Sequence, residues 1–113
     1  MVQRSAPISQ VEIEQELIRL LDKLERDTEE FETFAMDSSK KESLYKSNWA
    51  REYLSAKGSI KEREAWADYK MEKEHFEFKC AEGLLKAKRE VLLSTRSAID
   101  AIRTLNANVR VQV

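Results

Sequence analysis

The chain is predicted to be all-α: an elongated helical hairpin or bundle in which one long C-terminal helix, about residues 59–106, is packed by two shorter helices. Three observations predict it. Only two Gly and one Pro interrupt 113 residues, of which 36% are charged, the composition of a chain with little loop. Apolar residues make up 42% of the sequence and recur at three- and four-residue steps. Two heptad ladders then run along the second half, Phe78, Leu85, Leu92 and Ile99 in one, Leu84, Val91, Ala98 and Leu105 in the other. Adjacent positions lie about 100° apart around a helix, so the ladders form a band wider than a two-stranded seam. Such a band calls for more than one partner helix.

Residues 1–8 contain Pro7 and no periodicity, and are expected to be a flexible lead. Ser9 and Glu12 have the spacing of a capping box, in which hydroxyl and carboxylate satisfy the free N–H groups of a helix start. Glu12, Glu14 and Glu16 then occupy the first turns, where the macrodipole favours negative charge. Leu17, Leu20, Leu21, Leu24, Phe31 and Phe34 supply one apolar face, giving an acidic helix over 9–36. Asp37-Ser38-Ser39 reads as a polar break and a new N-cap. A second helix over 40–56 follows, with Leu44, Tyr45, Trp49 and Tyr53 inside and Leu54 at the edge. Gly58 suits a left-handed helix end, and Ser59 with Glu62 repeats the capping spacing to open the long helix. The tail, residues 107–113, loses the pattern and is expected to fray.

A hairpin at Gly58 lays the second helix antiparallel to the start of the third. If the chain continues straight through Asp37–Ser39, residue n faces roughly residue 116 − n, as in an αα-hairpin. Leu17 then meets Ile99, Leu24 meets Leu92, and Phe31 meets Leu85. The ladder Leu84, Val91, Ala98 and Leu105 is left over for another copy of the protein, since a long exposed apolar stripe marks an interface. A homo-oligomer is expected.

This length gives one domain and no second core. No run of 18 apolar residues occurs and the N-terminus lacks the apolar stretch of a signal peptide, so a soluble, cytoplasmic protein without membrane contact is expected. The lone Cys80 has no internal disulfide partner and is expected to pack as a small hydrophobe. The net charge of −1 hides a segregation: residues 1–39 hold four basic and ten acidic side chains, residues 40–113 sixteen basic and eleven acidic. Either the acidic helix packs on the basic one, or one part binds an anion and the other a basic surface.

Catalytic constellations are not apparent, and no enzyme, cofactor or metal site is expected. The single His75 lies five positions from Cys80 on a different helical face, poor spacing for a ligand pair or a dyad. Glu72, Glu74 and Glu77 splay over the helix as a solvated face. No Gly-rich phosphate loop, zinc-finger spacing or nucleophile elbow is present.

The Gly58 hairpin carries the most informative composition. Lys46, Arg51, Lys57, Lys61 and Arg63 fall among Trp49, Tyr53, Trp66 and Tyr69. Cations pair with phosphates, and aromatic faces stack on unpaired bases without reading sequence. The alternative is that Trp49 and Trp66 form the hairpin's core and the basic residues flank it. A second basic group, Lys86, Lys88, Arg89, Arg96, Arg103 and Arg110, lines the long helix further on.

Two stretches resemble the UvsY family of recombination mediators from tailed phages. One is Trp49-Ala50-Arg51-Glu52-Tyr53-Leu54-Ser55-Ala56-Lys57-Gly58, similar to a family stretch with Ala-Arg, then Tyr, then a basic residue before Gly. The other runs from Lys79-Cys80-Ala81-Glu82 to Ser97-Ala98-Ile99-Asp100-Ala101-Ile102-Arg103, where the family has a long apolar helix with a small-residue run ahead of Asp-Ala-Ile. The resemblance spans roughly half the chain. It implies a small oligomer that binds single-stranded DNA and helps a RecA-like recombinase displace single-strand binding protein, in the cytoplasm of a bacterial host. It also implies that Arg51 contacts DNA. The family's companion lysine is Trp49 here, a departure that leaves that part of the site to Lys46 or Lys57. A helical scaffold that binds only other proteins is the alternative reading.

Overall fold

A computed structural model of the chain describes residues 8–112; most of the expected N-terminal lead lies outside them. Three helices follow in order, α1 (Gln10–Ser55), α2 (Ile60–Lys70) and α3 (Glu72–Gln112), with no strand among the described residues. The all-α class is as expected; the helix boundaries differ in three places. None of these helices is long and apolar enough to cross a membrane.

The first difference is at Asp37-Ser38-Ser39, where α1 runs on without a break. Asp37 forms an ion pair with Lys41 at 3.0 Å, one helical turn on, so its carboxylate is engaged along the helix rather than as a cap. Ser38 is buried, 5% exposed, and continues the inward heptad of Leu17, Leu24, Phe31 and Tyr45. The helix-propensity cost of this tripeptide is roughly 0.5 kcal/mol per residue, too little to stop a helix that packs on both sides of it. The second difference is at Met71, which separates α2 from α3. Its backbone sits at φ −104°, ψ 16°, near the bridge region. The hydrogen bonds from Met71 N–H to Ala67 C=O and from His75 N–H to Met71 C=O carry through. The third is the tail: Ile102, Leu105, Asn106 and Val109 stay half-buried, and α3 continues to Gln112 instead of fraying after Asn106.

Contacts divide the chain into two units: a terminal unit of residues 1–29 with 89–113, and a hairpin unit of Glu30–Lys88. In the terminal unit Ser9 and Glu12 close the expected capping box, Ser9 N–H donating to Glu12 Oε2 at 3.0 Å and Glu12 N–H to Ser9 Oγ at 3.2 Å. Ile13 and Leu20 of α1 and Leu92 and Ile99 of α3 are its buried aliphatic residues. Lys23 Nζ donates to Asp27 Oδ2 at 2.6 Å and across to the buried Thr95 Oγ1 at 3.2 Å. That pairing lies two residues from the expected antiparallel register.

In the hairpin unit the buried residues are Ser38, Ala67, Met71, Phe78 and Ala81. Tyr45 packs its ring on Phe78 and His75, with centroids 6.0 Å and 5.1 Å away. Burial, and after it the Asp68 carboxylate, pushes the Tyr45 phenol above its ordinary pKa. The turn depends on Gly58, whose φ of 118° lies where L side chains are strained. Ser59 caps α2, its Oγ accepting from Glu62 N–H at 3.2 Å.

Candidate nucleic-acid interface

The candidate interface surrounds the Gly58 turn, where the C-terminal end of α1 faces α2. Two indoles tie the helices together. Trp49 Nε1–H donates to Asp68 Oδ1 at 2.9 Å, and Trp66 Nε1–H donates to Glu52 Oε2 at 3.1 Å. Both carboxylates are thereby engaged within the fold. Trp49 is half-buried and stacks on Tyr53, centroids 5.5 Å apart at 13°. Trp66 is not the core residue that one reading expected: it is 42% exposed, and Tyr69 beside it 71%. Their centroids are 6.4 Å apart. The hairpin thus keeps one ring pair inward and presents a second outward.

The basic residues sort by what they touch. Arg51, Lys57 and Lys61 are exposed and form no ion pair with the described residues. Lys57 lines a cleft with Ser55, Ala56, Glu62 and Trp66, so a cation and an open indole border the same space. Arg63 is half-buried, its guanidinium carbon 6.0 Å from the Tyr53 ring centroid, and its Nε is buried without a partner. Arg63 is therefore part of the hairpin's packing. Lys46 pairs with Glu42 at 2.7 Å, a hydrogen bond that, with the carboxylate's charge, raises the ammonium pKa. Of the second group, Lys86 and Arg89 are exposed, with Arg89 in the terminal unit. Lys88 turns inward: it pairs with Glu30 and lies 5.7 Å from the Phe34 ring centroid.

Sequence reasoning missed Lys70, whose ammonium lies 4.9 Å from the Trp66 centroid, a cation–π contact. The signal was present, since residues four apart share a helical face. Cys80, expected inside, is exposed. No cluster of three or more metal-ligating side chains occurs among the described residues.

The two heptad ladders separate by burial. Phe78, Leu92 and Ile99 are buried and Leu85 half-buried, whereas Leu84 is 53% and Val91 38% exposed, with Ala98 and Leu105 half-buried. Comparison of the chain with protein-family models, curated proteins and solved structures finds no match.

Proposed function

We propose that this chain is a non-enzymatic accessory protein of recombination that binds single-stranded DNA and assists a RecA-like recombinase against single-strand binding protein, as the UvsY resemblance implies. The observation that carries the reading is the outward face of the hairpin. The open rings of Trp66 and Tyr69 stand on α2 with Lys70 over the indole, and Lys57 borders the cleft that Trp66 lines. Arg51 near the end of α1 and Lys61 at the start of α2 are exposed on either side of the turn. Bases stacked on such rings contribute about 1–3 kcal/mol each without sequence preference, and the cations meet the phosphates. Copies joined through Leu84, Val91, Ala98 and Leu105 would present several hairpins to one strand, raising the effective concentration of each. The acidic N-terminal part of α1 is then the surface offered to a protein partner.

Fluorescence anisotropy of labelled oligo-dT against the full chain, at several salt concentrations and beside duplex of the same sequence, tests this. Tighter binding to the single strand, falling steeply with salt, is expected, and Arg51→Ala with Lys57→Ala should weaken it and flatten the salt dependence. No binding at low salt would overturn the reading.

One observation favours a protein-binding scaffold instead: among the described residues, fourteen large apolar side chains are exposed against eight apolar residues buried. The scaffold predicts that no nucleic acid copurifies at low salt.

A further inference from the structure

Arg89, Arg96, Arg103 and Arg110 follow one another at seven-residue steps along α3, all within the terminal unit. Seven residues advance a helix by about 10.5 Å and nearly complete two turns, so the four form one file roughly 32 Å long. All four are exposed, and none of their side chains makes a hydrogen bond, ion pair or ring contact with the described residues. Elsewhere in the chain, Arg19, Lys23, Lys41, Lys46, Lys79 and Lys88 each hold a carboxylate, while Arg51, Lys57 and Lys61 share the file's lack of one among the described residues. The sequence explains the contrast. At three and four residues from each of the four arginines the only acidic residue is Asp100, between Arg96 and Arg103.

We propose that this file is a second polyanion site, a track for the sugar–phosphate backbone of a single strand, distinct from the hairpin. It rests on the reading of the chain as a single-strand binder but uses none of the hairpin's residues. A planar guanidinium offers a phosphate two parallel N–H donors. At about 3.4 Å per stacked nucleotide, the file matches roughly nine nucleotides, one arginine for about every three. An acidic helix has the same 10.5 Å repeat, but it would need an apolar seam beside the charges. On one flank of the file along α3 stand Lys86, Leu93, Asp100 and Ala107, which form no such seam. On the other, the apolar Leu85, Leu92 and Ile99 are already half-buried or buried within the fold. Surface ion pairs without one contribute little, whereas neutralised phosphates release condensed counterions.

The test compares three variants of the full chain by anisotropy with labelled oligo-dT across a salt series: R89Q/R96Q/R103Q/R110Q, the same four positions changed to Lys, and R51Q/K57Q/K61Q. Removing four phosphate contacts should flatten the slope of log affinity against log salt by about 3, since each contact on a single strand contributes roughly 0.7. The all-lysine chain should keep most of the slope, and far-UV circular dichroism should be the same in all. The Gln variant binding with the wild-type slope and affinity would overturn the track. So would loss of binding in both file variants with a drop in particle mass by light scattering, which would make the file a contact between copies. If the hairpin variant binds as wild type while the Gln file variant does not, the hairpin reading falls and the track stands. If the wild-type chain binds no strand, both fall.

Discussion

The two units are built from different side chains. All nine aromatic residues of the chain lie between Glu30 and Lys88, in the hairpin unit. The terminal unit has none; it buries Ile13, Leu20, Leu92 and Ile99, and Lys23 joins Asp27 to Thr95 across its two helices. Aliphatic heptads repeat, so whatever they position repeats too, as the file of arginines does. Rings in a tight hairpin do the opposite and mark one place, with indole N–H groups fixing which face stays open. The contrast has a practical side: tryptophan fluorescence reports on the hairpin unit alone, while far-UV circular dichroism sums both.

The largest expected effects break each unit through its own core. Phe78→Ala removes a ring that is 6% exposed and stacked on Tyr45, and should cost about 3–5 kcal/mol. Leu92→Ala, 7% exposed in the terminal unit, should cost about 2–5 kcal/mol. In urea melts Phe78→Ala should move the fluorescence midpoint, and Leu92→Ala should move the dichroism transition more than the fluorescence one. Identical shifts of both probes in both variants would mean that the units unfold together.

The terminal unit was the more legible of the two in the sequence. Leu17 against Ile99 and Leu24 against Leu92 follow from a hairpin centred on Gly58, and that register lies within two residues of the observed Lys23–Thr95 contact. The Gly58 turn was equally plain, because one residue type suits its φ. Asp37-Ser38-Ser39 misled for a physical reason: local capping chemistry is the same whether or not a helix continues, and here Ser38 is buried within the helix while Asp37 pairs with Lys41 along it. Met71 left no local signal, being a good helix former at the single non-helical residue between α2 and α3. At the candidate site, sequence identified the residue types but not their assignments. It could not tell that Arg63 packs on Tyr53 and Lys88 on Phe34 while Arg51, Lys57 and Lys61 stay open.

Intermediate effects sharpen the comparison. Gly58→Ala places a Cβ 2.5 Å from Glu62 Oε2 at a φ of 118°. The carboxylate can move aside, but the backbone strain remains, about 1–3 kcal/mol. Measured by fluorescence, Gly58→Ala in a Glu62→Ala background should therefore still lower the midpoint; no shift would mean that the turn tolerates an L side chain. Thr95→Val keeps the shape but removes the hydroxyl that accepts from Lys23 and donates to Val91 C=O at 3.0 Å. A cost of about 1 kcal/mol is expected, seen by dichroism and not by fluorescence.

The smallest effect concerns pH and belongs to the hairpin unit alone. The Tyr45 phenol is held above its usual 10.0, first by burial and then by the Asp68 carboxylate. Both causes penalise the phenolate in the folded chain, so the folded pKa exceeds the unfolded one. The stability linked to this group is complete below the unfolded value and is lost as pH rises from about 10 through the folded pKa. An alkaline titration followed by tyrosinate absorbance should show one late phenol in the wild-type chain, and Tyr45→Phe should remove it. The fluorescence midpoint in urea should also fall less steeply with alkaline pH in Tyr45→Phe than in wild type. If the late component persists in the variant, another tyrosine carries it. The contact of Tyr45 with Phe78 and His75 would then not shield its hydroxyl from water.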